Sequence, residues 1–304
     1  MATKYEYKVS NGGNPITVID TNGNVVNLST SGTTYYADGN SGSDSADGLS
    51  WSTAFKTLAV AFAASHADIA RGSDRWARRN RIYIAGDSFD ETLIIFPQKT
   101  DVIGVGSKNG FTKTCIVGNH APVNSGFGAR FYNIGFEPKT AADLFTMTNA
   151  CWGAEFIGNE FRAYGAGGTA TGGIKTTGTT MLKIKDNKFL GNFTNEYIDI
   201  AAGAIDGMEI TGNHMVGGAD NGIMVTGTGT AAIGRRGLIA DNYIECADIV
   251  IDVNATSVFD VINNRGISGE ALGSSSYVID LTYAVGNVLT GNDVSATVPI
   301  IPAT

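Results

Sequence analysis

The chain has 304 residues, of which 43% are hydrophobic, only 16% are charged and 40 are glycine, with a net charge of −8 from 21 basic and 29 acidic side chains. The hydrophobic share excludes a disordered chain, and the acidic balance argues against a general nucleic-acid binder, which would be basic. No run of 18 apolar residues is present, so a membrane-spanning helix is excluded as well.

The opening segment MATKYEYKVSNGG carries no apolar h-region, so no signal peptide is expected. Asn22-Gly23 stands between two β-rich runs in ITVIDTNGNVVNL, a strong hairpin signal. Residues 1–33 are therefore expected to form a β-hairpin arm used for attachment. Tyr5, Tyr7, Ile16, Val18, Val25 and Leu28 would be its docking side chains. Tyr35-Tyr36 should open a strand, and the Gly-, Ser- and Asp-rich residues 38–50 form a loop. Ser52 or Thr53 offers a helix N-cap, and Phe55, Leu58, Phe62 and Ile69 follow at helical spacing. These predict a helix over about 53–70 with one apolar face, which must lie over a core.

Short strands follow, expected at Arg81–Ala85, Leu93–Phe96, Val102–Val105 and Cys115–Val117. From residue 130 onward one pattern recurs: FIGNEF, IKDNKF, ITGNHM, IADNYI, VINNRG and LTGNDV. The aligned asparagines are Asn159, Asn187, Asn213, Asn242, Asn264 and Asn292, spaced by 28, 26, 29, 22 and 28 residues. A looser match, YNIGF, adds Asn133. A second apolar run lies inside each period.

A repeat of this length with no helix inside it cannot bury its own apolar face. Coiling successive repeats, so that each strand pairs with its copy one turn later, supplies the missing core. The class expected is all-β, a single right-handed parallel β-helix over 34–298 with an N-terminal capping helix and a short tail at 299–304. A propeller would need about 40 residues per blade or more. The repeated asparagine is expected to sit at a corner, adopt a left-handed backbone and bond to the next coil as a ladder.

Segment 35–105 resembles the N-terminal cap of the pectate-lyase-like superfamily of right-handed β-helices. The residues that carry the resemblance are the Tyr-rich strand and loop at Tyr36–Ser50, the F-K-T-L-x-x-A-like helix start at Phe55–Ala59, and the passage Ile82–Ile95. The resemblance implies the fold. It leaves function open among lyases, hydrolases, epimerases, phage tailspike depolymerases and virion proteins without activity.

Glycan chemistry on such a scaffold needs carboxylates sharing one face. Asp186 and Asp241 each precede a ladder asparagine, Asp199 and Asp252 lie in the second runs, and Glu155 and Glu160 flank Asn159. Acidic residues beside turns are common, so a turn role for Asp186 and Asp241 stands against the catalytic one. No metal-ligand spacing links His66, His120 and His214, and no cofactor is expected. Cys115, Cys151 and Cys246 are scattered among apolar residues and read as buried thiols. Arg71, Arg75, Arg78, Arg79 and Arg81 cluster within eleven residues. They either neutralise the end of the helix or form a docking patch centred on Arg75, Arg78 and Arg79. The resulting expectation is a structural virion protein of a tailed phage, a homotrimer docked to capsid or tail proteins and made in the host cytoplasm. The alternative is a tailspike-like polysaccharide depolymerase, a hydrolase or lyase acting on host glycans, with Asp186, Asp199, Asp241 and Asp252 as candidate catalytic residues.

Overall fold

A computed structural model describes residues 32–71, 78–86, 88–105, 113–123, 127–148, 151–164, 168–202, 207–226, 237–253 and 259–268, with further strand backbone near both termini. The chain is a right-handed parallel β-helix. One coil illustrates the rest: Glu155–Ile157, a two-residue corner, Glu160–Ala163, a longer loop, Ile174–Thr177, a second corner, and then Lys183–Lys185 one rung higher. Stacking these coils produces three parallel sheets. Sheet I has ten strands, sheet II nine and sheet III six among the described residues. Backbone strands at Glu6–Tyr7, Val18–Ile19 and Val25–Val26 form a separate antiparallel sheet, with Val18 opposite Val26 and Ile19 opposite Val25. The Asn22-Gly23 turn and the side chains of Tyr5, Tyr7, Ile16, Val18, Val25 and Leu28 lie outside the described residues.

Strict register places like residues above like. Phe131 pairs with Phe156 and then Ile184, Ile210, Ile239 and Val261 on sheet I. On sheet II the inward row runs Phe136, Phe161, Phe189, Met215, Ile244. The rings of Phe161 and Phe189 stack at 4.5 Å, and those of Phe131 and Phe156 at 5.3 Å. These rows are fully buried and form one continuous core. Cys115, Cys151 and Cys246 are buried free thiols.

The corner between sheets I and II is built from two adjacent columns. Asn133, Gly158, Asp186, Gly212, Asp241 and Asn263 have φ between 54 and 67°. All are Asn, Asp or Gly, the types that enter the left-handed region most readily. The next residue in the later rungs is the buried asparagine. Asn213 Oδ1 accepts from the backbone N–H and the side-chain amide of Asn187, both at 3.0 Å. Asn213 Nδ2 donates to Ile184 O at 2.8 Å and to Asn242 Oδ1 at 2.9 Å. The same bonds link Asn159 to Asn187 and Asn242 to Asn264. Two expectations are corrected here. The left-handed residue is the one before the ladder asparagine, because the turn needs one inverted residue and one inward-facing amide. Asn133 belongs to the left-handed column, where its Nδ2 donates to Gly104 O at 2.8 Å. Ile134 holds the ladder position in that rung, donating its N–H to Asn159 Oδ1. Asn292 lies outside the described residues.

Helix α1 spans Leu58–Arg71, starting later than the predicted residue 53, and Trp51–Thr53 form a 3-10 turn instead. The start is set from afar. Glu91 Oε1 accepts from Leu58 N–H at 2.8 Å and Oε2 from Ala59 N–H at 3.0 Å. Asp44 Oδ1 holds the N–H groups of Lys56 and Thr57, each at 2.9 Å. Carboxylates at these orphan donors also complement the helix dipole. The buried face carries Leu58, Ala61, Phe62, Ser65 and Ile69. Ser65 bonds to Thr100 and Asn80 beneath it. Residues 93–96 form no regular strand, although Leu93 and Phe96 are buried.

His120 is fully buried between the rings of Phe136 and Phe145, and burial pushes its imidazole down to about 3. Its Nδ1 accepts the Leu93 N–H at 3.1 Å, which requires the neutral ring.

Two outcomes follow for stability. Asn213→Ala removes the acceptor of the buried Asn187 N–H and one of the donors to the Ile184 carbonyl, and should cost about 1–3 kcal/mol in chemical denaturation, whereas Asn133→Gly, which keeps the left-handed turn, should cost well under half as much. Because the folded His120 titrates below the unfolded value of 6.5, its contribution is complete above pH 6.5 and declines as pH falls towards about 3. The stability difference between the wild type and His120→Gln should therefore shrink over that window, and a pH-independent difference would refute the assignment.

Candidate functional site

The outward rows of sheet III carry a cluster of titratable side chains. Each coil enters the sheet with the pattern out, in, in, out. Asp143 and Thr146, Gly172 and Lys175, Glu196 and Asp199, and Asn221 and Met224 occupy the two outward columns of successive rungs. The paired inward residues between them, such as Tyr197 and Ile198, enter the core. Burying two neighbours in succession turns the chain at the sheet edge and leaves the polar residues on the outside.

Three carboxylates and one lysine meet on this face. Lys175 Nζ lies 3.0 Å from Asp199 Oδ2. That hydrogen bond is the largest influence holding the Lys175 ammonium above the usual lysine range, with the Asp143 and Glu196 carboxylates adding to it. Burial pushes Asp143 above the ordinary carboxylate range, with Lys175 opposing and Asp199 adding to the rise. Burial also raises Glu196, and its strongest charged neighbour is Asp199. The two elevated carboxyls thus differ in company: the ammonium is foremost beside Asp143, and a carboxylate is foremost beside Glu196.

Gly172 separates Asp143 from Glu196. A Cβ there would sit 3.1 Å from Asp143 Oδ1 and 3.3 Å from Glu196 O, so the missing side chain lets the Asp143 carboxyl lie close against the backbone of the next rung. Asp143 and Glu196 stand two rungs apart, about 9.6 Å at the usual ~4.8 Å strand spacing. The loop that delivers Asp143 is stapled by Asn119. Its Oδ1 accepts from Lys139 N–H, Thr140 N–H and the Thr140 hydroxyl, and its Nδ2 donates to the carbonyls of Thr140, Ala142 and Asp143.

Asp199 and Asp252 share one outward column, with Met224 in the rung between them. Asp252 is buried, at 7% exposure. Asp186 and Asp241 are elsewhere, in the left-handed column between sheets I and II, where a side chain at position 212 would collide with Asp186 Oδ1. Their position follows from turn geometry, and the structure does not bring them to the Asp199 face. Glu155 pairs with Arg130 at 3.2 Å. Glu160 bonds to buried Arg162, which also reaches Glu137 at 3.4 Å. Arg78 is paired with Asp68, and Arg79 with Asp101 and the Gly128 carbonyl. Those two arginines are therefore engaged within the chain, and Arg75 lies outside the described residues.

The carboxylates of the 38–50 loop accept local N–H bonds: Asp38 from Asn40 and Ser41, Asp47 from Leu49, and Asp44 at the approach to α1. Among the described residues no group of three or more His, Cys, Asp or Glu side chains is arranged to hold a metal. Asp143 and Glu196 were missed in the sequence because they precede the apolar runs rather than flank the asparagines. The regular offset to Ile174 and Ile198 in the next rungs was the available signal.

No family model matches the chain, and no curated protein matches it. Among solved structures, the crystal structure of a GH136 lacto-N-biosidase from Eubacterium ramulus aligns over 86% of this chain and 68% of that chain, with 11% identity and a TM-score of 0.23. A likeness of that strength carries no functional argument, and the site is read from its own geometry.

A carboxyl raised in the folded state favours the protonated form, so it contributes stability below its unfolded value and loses it as pH rises. Glu196→Gln should therefore raise the melting temperature at pH 7, with the gain vanishing towards pH 4. A variant less stable than wild type at pH 7 would contradict the burial of this carboxyl.

Proposed function

We propose that this chain is a glycan-processing β-helix, a polysaccharide hydrolase whose chemistry takes place on the outer face of sheet III. The observation that carries the reading is the pair Asp143 and Glu196, two half-buried carboxyls with raised proton affinity on one outward column of sheet III. Glu196 has a carboxylate as its foremost charged neighbour, which suits a group that holds a proton and delivers it to a leaving glycosidic oxygen. Asp143 has an ammonium as its foremost charged neighbour, which suits a base that takes a proton from water. Two strand spacings, about 9.6 Å, stand at the upper edge of the roughly 6.5–9.5 Å between carboxyls that leaves room for a water opposite the leaving group, the arrangement of inverting hydrolysis. In that step Asp143 deprotonates the water, the water oxygen bonds to the anomeric carbon, and the bond to the leaving oxygen breaks as Glu196 protonates it. Asp199 and Lys175 position the pair through their charges. With three carboxylates against one lysine, the face repels uronate-rich chains and suits neutral or amino-sugar glycans.

The test is a screen against neutral, amino-sugar and uronate polysaccharides, scored by new reducing ends and by absorbance of unsaturated products. Cleavage of a neutral or amino-sugar glycan without unsaturated product is expected. Glu196→Gln and Asp143→Asn should each lower the rate by about 10²–10⁴-fold. No cleavage by folded protein across the panel, or cleavage indifferent to both substitutions, would overturn the reading. It would leave a structural role, with attachment through residues 1–33 to other virion proteins, as the proposal to pursue.

A further inference from the structure

The loop that carries Asp143 is held from both sides. From below, the Asn119 Oδ1 accepts from Lys139 N–H at 3.2 Å and from the Thr140 N–H and hydroxyl, each at 2.9 Å. The Asn119 Nδ2 donates to the carbonyls of Thr140 and Ala142 at 3.2 Å and of Asp143 at 3.1 Å. Both ends of the carboxamide are therefore engaged, which fixes its orientation. From above, Thr171 N–H donates to Ala142 O at 3.2 Å, the Thr171 hydroxyl reaches Ala141 O at 3.3 Å, and Gly172 N–H bonds to the Asp143 carboxyl. The solenoid itself does not call for an asparagine at position 119. His120 bridges Phe145 in parallel register, so Asn119 stands one rung below Leu144, in the row that Gly173, Tyr197, Gly222 and Val250 continue. Each of those five is buried, whereas Asn119 is half-buried and directs its amide at the next rung's loop. An amide in that row adds nothing to the apolar core; what it holds is the approach to Asp143.

We propose that Asn119 is a positioning residue for Asp143, fixing the main chain of residues 140–143 so that the carboxyl is held in the orientation that takes a proton from water. The proposal rests on the hydrolytic reading of the Asp143–Glu196 face. Asn119 touches no reacting atom in that reading and acts through Asp143. A general base works only when held within reach of its proton, and a misplacement of about 1 Å costs up to about 100-fold in rate. Alanine at 119 removes the donor shared by the carbonyls of Thr140, Ala142 and Asp143, and the loop is then free to carry the carboxyl out into water. Burial is the largest influence on Asp143, so exposure lowers its proton affinity towards the ordinary carboxylate range. Asp143 is the least of the influences on Glu196, which keeps its own surroundings.

On a glycan that the full chain cleaves, Asn119→Ala should lower kcat by up to about 100-fold with KM unchanged. The acid limb of its kcat/KM profile should move to lower pH. Carboxyl NMR titration, which needs no substrate, should show Asp143 titrating at lower pH than in the wild type and Glu196 unmoved. Asn119→Ser keeps one hydroxyl in the clamp and should fall between the two; it also serves if the alanine variant does not fold. Lys139→Ala removes the exposed 2.7 Å ion pair with Asp90 from the same loop, leaves the Asn119 bonds in place and should change neither readout. If it matches Asn119→Ala in both, the effect is one of loop stability and the proposal fails. The proposal also fails, with the hydrolytic reading intact, if the wild type cleaves and Asn119→Ala keeps its kcat, or if the Asp143 titration stays where it was. No cleavage by the wild type defeats the hydrolytic reading instead, and the titration then decides alone whether Asn119 places Asp143.

Discussion

Everything in this solenoid depends on one constraint: each coil must turn between sheets I and II in two residues without leaving a buried polar group unpaired. The solution is a division of labour between neighbours. One residue inverts its backbone, and the next turns its amide inward and shares it between rungs. A buried carboxamide has two donors and one acceptor oxygen with two lone pairs, enough to satisfy its own stack and the adjoining backbone at once. Losing a single partner in such a closed network costs the full desolvation of what remains. This is why the ladder tolerates so little variation while the loops between coils vary in length.

Strict register at that corner propagates to the rest of the molecule. Once Asn187 sits above Asn159, Phe189 must sit above Phe161, and Ile184 above Phe156. The core becomes a set of vertical rows, each chemically uniform enough to stack. The outer faces inherit the same order. On sheet I the outward column runs Arg81, Asp101, Arg130, Glu155, Lys183, Glu209, alternating in sign at every rung. A column that neutralises itself gives that face little net field. Sheet III departs from this balance, with three carboxylates around one lysine, and there two carboxyls, Asp143 and Glu196, are held above the ordinary carboxylate range.

Much of the architecture was legible in the chain. The asparagine spacing named the repeat, and the absence of a helical period within it left stacking as the only way to bury its apolar runs. The corner was misread in two respects: the left-handed backbone belongs to the residue before each ladder asparagine, and Asn133 is not on the ladder. Asn133 resembles a ladder residue by type and rough spacing, yet it sits one position early, because asparagine is suited to both columns. The helix start was misread for a different reason. Ser52 and Thr53 are good local caps, but the donors of α1 are satisfied by Glu91, 33 residues away from Leu58.

The candidate site divides along the same line. The sequence by itself determined the repeat, the rows of apolar residues and the presence of acidic residues near each turn, since these rest on local periodicity and side-chain type. It did not determine which carboxylates share a face. Asp143 and Glu196 are 53 positions apart in the sequence, and their sharing one outward column depends on the lengths of the loops joining each rung to the next. Only the tertiary structure decided that, because burial and neighbouring charge, the two influences that raise a carboxyl's proton affinity, arise from residues brought together by stacking rather than by sequence.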